Sequence, residues 1–433
     1  MGEENRGAAA CSMTGNIVRG IYSMSPVLLF FLALVFIADG LMVFLIPVLV
    51  YAETQSLTYS GLAYALWWLP RIVLIPALGA LIDRWGVRPV SIASDAVKAF
   101  GCLLLCLVLN FAEQPLTLAL ACGLLGAAVS IGNAQTLTAV EKLIAAHSRH
   151  IDRDANLLTR LDLLGMVLGP LIGILLYEYG FLTLLYIAAT FYLCNAYYFL
   201  TSRLFSFTPD PAPENKVNPP HPAQKKLFPL LMIIRSPFII LMIVLAAGNN
   251  MFDGLVESAG AALIETQMGL SVKYFGFIDI CAGAAGFLST LVYGAALNRL
   301  SREALLAAGL GLIVIASLLL TTTLDHLGPF LTFYALGIVG KVFTGNIMRT
   351  LRLTLIPYER LASVSSLILM LNQSVLPLMG LFLFLSERYG WPLTGFMHIA
   401  IALSLLAGIG LLLALRRKLT DTSLSSPRPD HSG

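Results

Sequence analysis

The sequence predicts an all-α membrane protein: twelve transmembrane helices in two pseudo-symmetric six-helix halves, with both termini in the cytoplasm. Three observations carry this. The composition is too apolar for a water-facing surface, twelve apolar runs have spanning length, and an internal repeat relates the first six runs to the last six. Of 433 residues, 58% are hydrophobic and 12% charged, against about 45–50% and about 25% in soluble chains. So few charges cannot coat a soluble globule, which excludes a cytosolic or secreted enzyme. The net charge of +3 is too small and too scattered for a nucleic-acid partner. At roughly 20 residues per span, the chain has room for about a dozen helices joined by short loops.

The apolar runs fall at 26–51, 59–82, 88–110, 115–140, 156–177 and 180–202, then at 237–263, 272–297, 304–323, 328–348, 363–385 and 391–415. Each is long enough for a tilted helix, and none shows the short alternating segments of a β-barrel. Residues 1–25 read as a cytoplasmic segment. Met1-Gly-Glu-Glu-Asn-Arg6 lacks the basic-then-apolar order of a cleaved leader, and Arg6 breaks the myristoylation pattern. Residues 26–203 form the first half. Residues 204–236 contain Thr208-Pro-Asp-Pro-Ala-Pro and Pro219-Pro-His-Pro-Ala-Gln-Lys-Lys; so Pro-rich a segment cannot bury a core and reads as a flexible cytoplasmic linker. Residues 237–416 form the second half and 417–433 a cytoplasmic tail. Cys102, Cys106, Cys122, Cys194 and Cys281 lie inside apolar runs without metal spacing, as small hydrophobes rather than disulfide partners.

Charge sets the orientation. Of 27 Lys and Arg residues, 21 fall in the termini, the linker and the loops on the same side, while the opposite loops hold only Lys273 and Arg388. By the positive-inside rule that basic side is cytoplasmic. Arg71, Lys98, Arg160 and Lys341 remain within spans.

The repeat runs through both halves. Asp39-Gly-Leu returns as Asp253-Gly-Leu, Glu53-Thr-Gln as Glu265-Thr-Gln, and Tyr59 with Gly61 as Tyr274 with Gly276. Gly79-Ala with Arg84 returns as Gly294-Ala with Arg299. Gly123, Gly126, Gly132 and Asn133 match Gly337, Gly340, Gly345 and Asn346, and Pro170 with Gly173 matches Pro377 with Gly380. Six matches in order, at offsets between 207 and 215, are hard to obtain by chance. Two parallel six-span repeats joined by a linker form a transporter architecture, in which similar halves rock about a site.

Two glycine motifs narrow the class. Gly79-Ala-Leu-Ile-Asp83-Arg84-Trp-Gly86-Val-Arg88-Pro89 lies between spans 2 and 3. Gly79 permits close helix approach and Gly86 a tight turn. The pattern resembles motif A of the major facilitator superfamily, which implies that Asp83, Arg84 and Arg88 latch the cytoplasmic side; a plainer reading makes the arginines orientation anchors. The copy in the second half is weaker, with Asn298, Ser301 and Glu303 replacing Asp, Gly and Arg. Span 5 carries Gly165-Met-Val-Leu-Gly169-Pro170-Leu-Ile-Gly173. Its glycines at i, i+4 and i+8 make a smooth face, and Pro170 adds a kink. This segment is similar to the superfamily's motif C, typical of exporters, although Ile174 stands where a final Gly is usual; ordinary helix packing is the alternative. Leu69-Pro-Arg71, Asp95-Ala-Val-Lys98-Ala99 and Ala155-Asn-Leu resemble the enterobactin-exporter and macrolide-efflux branch, whose substrates are siderophores or amphipathic drugs. Span 4 lacks the arginine that many proton-coupled relatives carry.

The candidate site lies among charges inside spans, where hydrocarbon makes them costly. Asp39 is about 20 Å along its helix from the cytoplasmic end, and Asp253 is its repeat mate. The resemblance places Asp39, Asn133, Asp253 and Lys341 around one cavity, with Asn346 as the repeat mate of Asn133. Asp253 and Glu257 are spaced i, i+4, so one of the two carboxylates is expected to hold a proton near neutral pH. Asn249 and Asn250 can hydrogen-bond a polar ligand. Arg71 and Lys341, about 18 Å along their spans, are expected to contact an anionic group on the substrate or, alternatively, to pair with Asp39 or Asp253. Asp95 and Lys98 read as a self-contained i, i+3 pair near the cytoplasmic end. No metal site or cofactor is expected, because neither a His/Cys cluster nor a nucleotide loop occurs.

The functional expectation is a monomeric, multi-pass secondary transporter of the bacterial inner membrane. It is expected to export a siderophore or other amphipathic small molecule by proton antiport and alternating access. Siderophore uptake, divalent-metal export and a non-transporting membrane sensor are the alternatives; no nucleophile–base pair points to an enzyme.

Overall fold

A computed structural model of the chain describes residues 25–111, 114–148, 151–202, 230–356 and 361–424. The first half forms α1 (Pro26–Thr54), α2 (Leu57–Trp85), α3 (Val87–Phe111), α4 (Pro115–His147), α5 (Ile151–Leu176) and α6 (Phe181–Thr201). The second forms α7 (Pro237–Thr266), α8 (Gly276–Leu297), α9 (Arg302–Thr321) and α10 (Leu327–Leu355), followed by α11 (Leu361–Gln373), α12 (Val375–Tyr389) and α13 (Leu393–Leu424). Eleven helical segments among the described residues are long and apolar enough to span a membrane. The 29-residue α2 occupies the place of the remaining span.

Helix ends follow local chemistry. Ser25 and Ser236 cap α1 and α7: each hydroxyl accepts a backbone N–H three residues on, at 3.2 Å from Leu28 and 3.4 Å from Ile239. In each case a proline follows at the first helical position, where its missing N–H costs nothing. Ser301, which interrupts the second copy of the motif A pattern, caps α9 by accepting from the Ala304 N–H at 3.2 Å. Most of the segment read as a linker lies outside the described residues; residues 230–235 are helical.

Span 11 departs from a single continuous helix. α11 and α12 meet at a one-residue turn at Ser374, whose φ of −62° and ψ of −18° stay close to helical and whose N–H still donates to the Met370 carbonyl at 2.9 Å. Pro377 has no N–H to give and its ring crowds the carbonyl four residues earlier, at Gln373, where α11 ends. Its repeat mate Pro170 stays inside an unbroken α5.

The chain divides into two compact units, Met1–Glu214 with Ser271–Gly283, and Asn215–Leu270 with Ala284–Gly433. In the first unit α1 is the central helix, packed on α5, α6, α4 and α2, while α2 pairs with α4 and α3 with α6. In the second, α7 packs on α13, α12, α11 and α10, and α9 packs on α10 and α13. Its apolar core joins Leu245, Leu305, Leu310, Phe343, Ile347 and Leu411.

α3 shows how these helices invert the soluble pattern. Its exposed side carries Val97, Phe100, Leu103, Leu104, Leu107 and Phe111, a surface suited to lipid. Its buried side carries Ser91, Asp95 and Lys98. Lipid is as apolar as leucine, so close packing and polar contacts, rather than water exclusion, hold such helices together.

Candidate functional site

In the first unit the site begins with a close helix contact. At Gly169 of α5, an added Cβ would meet backbone atoms of Gly40 and Leu41 and come within 2.7 Å of the Ile37 carbonyl oxygen. At Gly165 it would lie 2.7 Å from Phe36 Cβ. The smooth face read from the glycine spacing therefore lies directly on the turn of α1 that carries Asp39. Asp162, one turn before Gly165, comes with it: Asn133 of α4 donates to both carboxylates, 3.4 Å to Asp39 Oδ2 and 3.3 Å to Asp162 Oδ1.

Lys98 completes the cluster from α3. Its ammonium is fully buried, 3.2 Å from Asp39 Oδ1 and 3.1 Å from Asp95 Oδ1. The absent side chain at Gly132 leaves room for its stem, because a Cβ there would lie 2.9 Å from Lys98 Cδ. Tyr192 of α6 lies beside it, its ring centroid 4.4 Å from the ammonium and its hydroxyl donating to Asp39 Oδ1 at 2.8 Å. Asn195, one turn further, donates to Asp95 Oδ2 at 2.5 Å. This corrects the expectation of a self-contained Asp95–Lys98 pair near the cytoplasmic end. Lys98 is eleven residues into a 25-residue helix, at mid-span, and joins α3 to α1.

Arg71 of α2 donates to Ser130 Oγ at 3.1 Å and stacks 5.1 Å from the Trp68 ring centroid. Asp162 and Asp39 are the carboxylates that act on it electrostatically. All six helices of the first half thus contribute to one polar group. It contains three carboxylates, Asp39, Asp95 and Asp162, against two cations, Lys98 and Arg71.

The second unit holds a smaller arrangement. Lys341 of α10 donates to Asp253 Oδ1 of α7. The ammonium lies 5.3 Å from the Phe252 ring and 5.7 Å from the Tyr334 ring. The two side chains keep 13% and 21% of their exposure. Glu257 is half-buried one turn beyond Asp253. Asn249 and Asn250 are engaged by neighbouring helices: Ser404 of α13 donates to Asn249 Oδ1 at 3.1 Å, and Asn250 donates to the Asn372 carbonyl at 2.7 Å. Asn346 is half-buried, and five residues put it on a different face of α10 from Lys341.

Between spans 2 and 3, Gly86 adopts φ of +85°, the left-handed region that glycine enters freely, and so turns α2 into α3. Arg84 is exposed, and Arg88 donates to the Leu200 carbonyl of α6. The side chains at Gly79 and Asp83 lie outside the described residues. Among the described residues, no three of His, Cys, Asp and Glu are grouped to hold a metal ion.

Asp39, Asn133, Arg71, Asp253 and Lys341 are identifiable in the sequence as polar residues at unusual depth. Tyr192 and Asn195 are not, because nothing in the pattern of span 6 separates them from its other aromatic and polar residues.

Comparison with known proteins agrees with this architecture. Over 103 residues the chain is 34% identical to the multidrug resistance protein MdtH of Yersinia enterocolitica, a match covering 24% of each chain. The alignment therefore spans about a quarter of that relative's length. Among solved structures, a mutant of the nucleoside transporter NupG superposes with a TM-score of 0.70 at 13% identity, covering 89% of this chain and 99% of that one. A bacterial homologue of the iron transporter ferroportin, in an inward-facing state, gives 0.67 at 18% identity, with 90% and 99% covered. These two likenesses concern the fold. The family model of the Major Facilitator Superfamily matches residues 28–380, most of the chain, and the protein belongs to that superfamily of membrane transporters.

Proposed function

We propose that the protein exports a siderophore or another amphipathic small molecule across the bacterial inner membrane in exchange for protons, as a monomer working by alternating access. The observation that carries this reading is the cluster around Asp39, in which Asp39, Asp95 and Lys98 are buried and Asp162 and Arg71 half-buried, with one carboxylate more than it has cations. An uncompensated charge at that depth is costly. A proton bound to the cluster removes the excess, and deprotonation restores it, so the occupancy of one proton changes the energy of the whole first half. Asp39 is the carboxylate on which the others converge, through Lys98, Tyr192 and Asn133. Asp253 and Lys341 form a one-to-one ion pair that is less enclosed, with the half-buried Glu257 one turn away on α7. The pair suits a substrate whose anionic group replaces Asp253 on the lysine, with Asn249, Asn250 and Glu257 on α7 itself and Asn346 on α10. The multidrug resistance relative and the Gly165–Gly173 face support the export direction.

The test is transport in proteoliposomes under an imposed pH gradient. Protons should move against substrate in the wild type. If Asp39→Asn keeps wild-type proton-coupled transport, the proton assignment is wrong; if Asp253→Asn leaves the substrate KM unchanged, the substrate assignment is; if neither substrate nor protons move in either direction, export itself is.

A further inference from the structure

A second basic feature of α10 is not used by this reading. Gly345, Arg349 and Arg352 of α10, with Ser365 and Leu369 of α11, line a cleft of about 440 Å³ within the second unit. Arg349 is about 33 Å along α10 from Leu327, beyond a hydrocarbon core of about 30 Å, so the cleft opens at the level of the cytoplasmic headgroups. Among the described residues neither guanidinium has a carboxylate partner. The charged group acting on Arg352 is Arg349 itself.

Two like charges at i, i+3 repel on a helix surface. A helix C-terminus favours a cation only within its last turn, which accounts for Arg352 but not for Arg349 beside it in the same cleft. Orientation by the positive-inside rule requires basic residues somewhere in this loop but does not require two of them to share a cleft with a hydroxyl. An oxyanion resolves the repulsion, because each guanidinium presents a planar fork that matches phosphate or carboxylate oxygens, and Ser365 offers a further donor. At 100° per residue, Lys341, Gly345, Arg349 and Arg352 also fall within an arc of about 80° on α10. Lys341 lies about 16 Å deeper than Arg352 on that face.

We propose that Arg349 and Arg352 form a cytoplasmic-side binding site for a phosphate-type oxyanion, at the outer end of a basic face that leads inward to Lys341. The oxyanion comes either from an anionic lipid headgroup or from a free solute. The connection to Lys341 rests on the transport reading above; the binding site does not, and it is tested without transport.

The full-length protein in uncharged detergent is titrated with inorganic phosphate at constant ionic strength, with isothermal titration calorimetry as the readout. In parallel, native mass spectrometry measures retention of phosphatidylglycerol added to the same micelles. The Arg349→Gln/Arg352→Gln double variant should weaken one of the two by about tenfold or more. The corresponding double lysine variant should keep part of the binding, and Arg416→Gln, which alters a basic residue outside the cleft, should leave it unchanged. Saturable phosphate binding lost in the double variant identifies a free-solute site. Phosphatidylglycerol retention lost without any phosphate binding identifies a headgroup site. If the folded, monodisperse double variant matches wild type in both arms, or if wild type binds neither probe, the proposal is overturned. Glu359, between α10 and α11 and outside the described residues, is the nearest carboxylate in sequence; Glu359→Gln should leave binding intact or strengthen it.

Discussion

Both halves place an aspartate at the same point of the repeat, Asp39 on α1 and Asp253 on α7, and both supply it with a lysine, yet the lysines come from non-equivalent helices. Asp39 takes Lys98 from α3, the third span of its half; Asp253 takes Lys341 from α10, the fourth span of its half. The consequences differ. Lys98 is buried without exposure between two carboxylates and is held by Tyr192 and the space at Gly132. Lys341 and Asp253 form one ion pair that keeps contact with its surroundings. Duplication preserved the depth of the acid and not the source of its counter-charge, so two copies of one scaffold acquired a multi-charge group in one half and a single lysine–aspartate pair in the other.

The largest expected effect breaks that asymmetry. Asp39→Asn should abolish the dependence of transport on an imposed pH gradient, whereas Asp253→Asn should keep the dependence and raise the substrate KM. Equal losses of pH dependence in the two variants would mean that the halves share the proton task. Next comes Lys98→Met, which leaves two buried carboxylates without their cation and should destabilise the first half by about 3–5 kcal/mol, read as loss of folded protein in a denaturant titration. Adding Asp39→Asn to that variant restores the original excess of one negative charge and should recover part of the stability. Lys341→Met should cost less, because its partner is closer to water. Gly169→Val probes the contact that positions Asp39: its side chain would run into the α1 backbone, with an expected cost of about 1–3 kcal/mol. The smallest effect tests what the halves have in common. Ser25→Ala and Ser236→Ala each remove one cap and should each cost about 1 kcal/mol; a large difference between them would show that the ends of the two repeats are not equivalent.

Much of the fold is legible because a lipid environment makes hydropathy a direct measure of burial depth. Each apolar run corresponds to a helix, although α4, α10 and α13 continue past the ends of their runs to His147, Leu355 and Leu424, and the departure at span 11 has a local cause in Pro377. The Gly165–Gly169–Gly173 spacing announces a close-packed face, although it does not say which helix is the partner. The candidate site is legible only in part. Asp39 stands out as an acid at mid-span, and Lys341 as a cation about 18 Å along its span. Lys98 reads as the partner of Asp95 because the i, i+3 neighbour is visible in sequence, while Asp39, 59 residues away, is not. Asn249 and Asn250 read as ligand contacts, and their partners Ser404 and Asn372 are separated from them by 155 and 122 residues.

What the sequence determined by itself is therefore everything that depends on position along each helix: which segments have spanning length, on which side of them the basic residues lie, and which charges fall deep within a span. Each of these is a property of a single helix in a bilayer, set by transfer free energy and by the side on which basic residues lie. Tertiary structure alone decided which of those charges meet. That depends on how each helix is rotated and which neighbour it touches, and here glycine faces and packing volumes, rather than hydropathy, joined Lys98 to Asp39 and left Arg349 and Arg352 sharing a cleft.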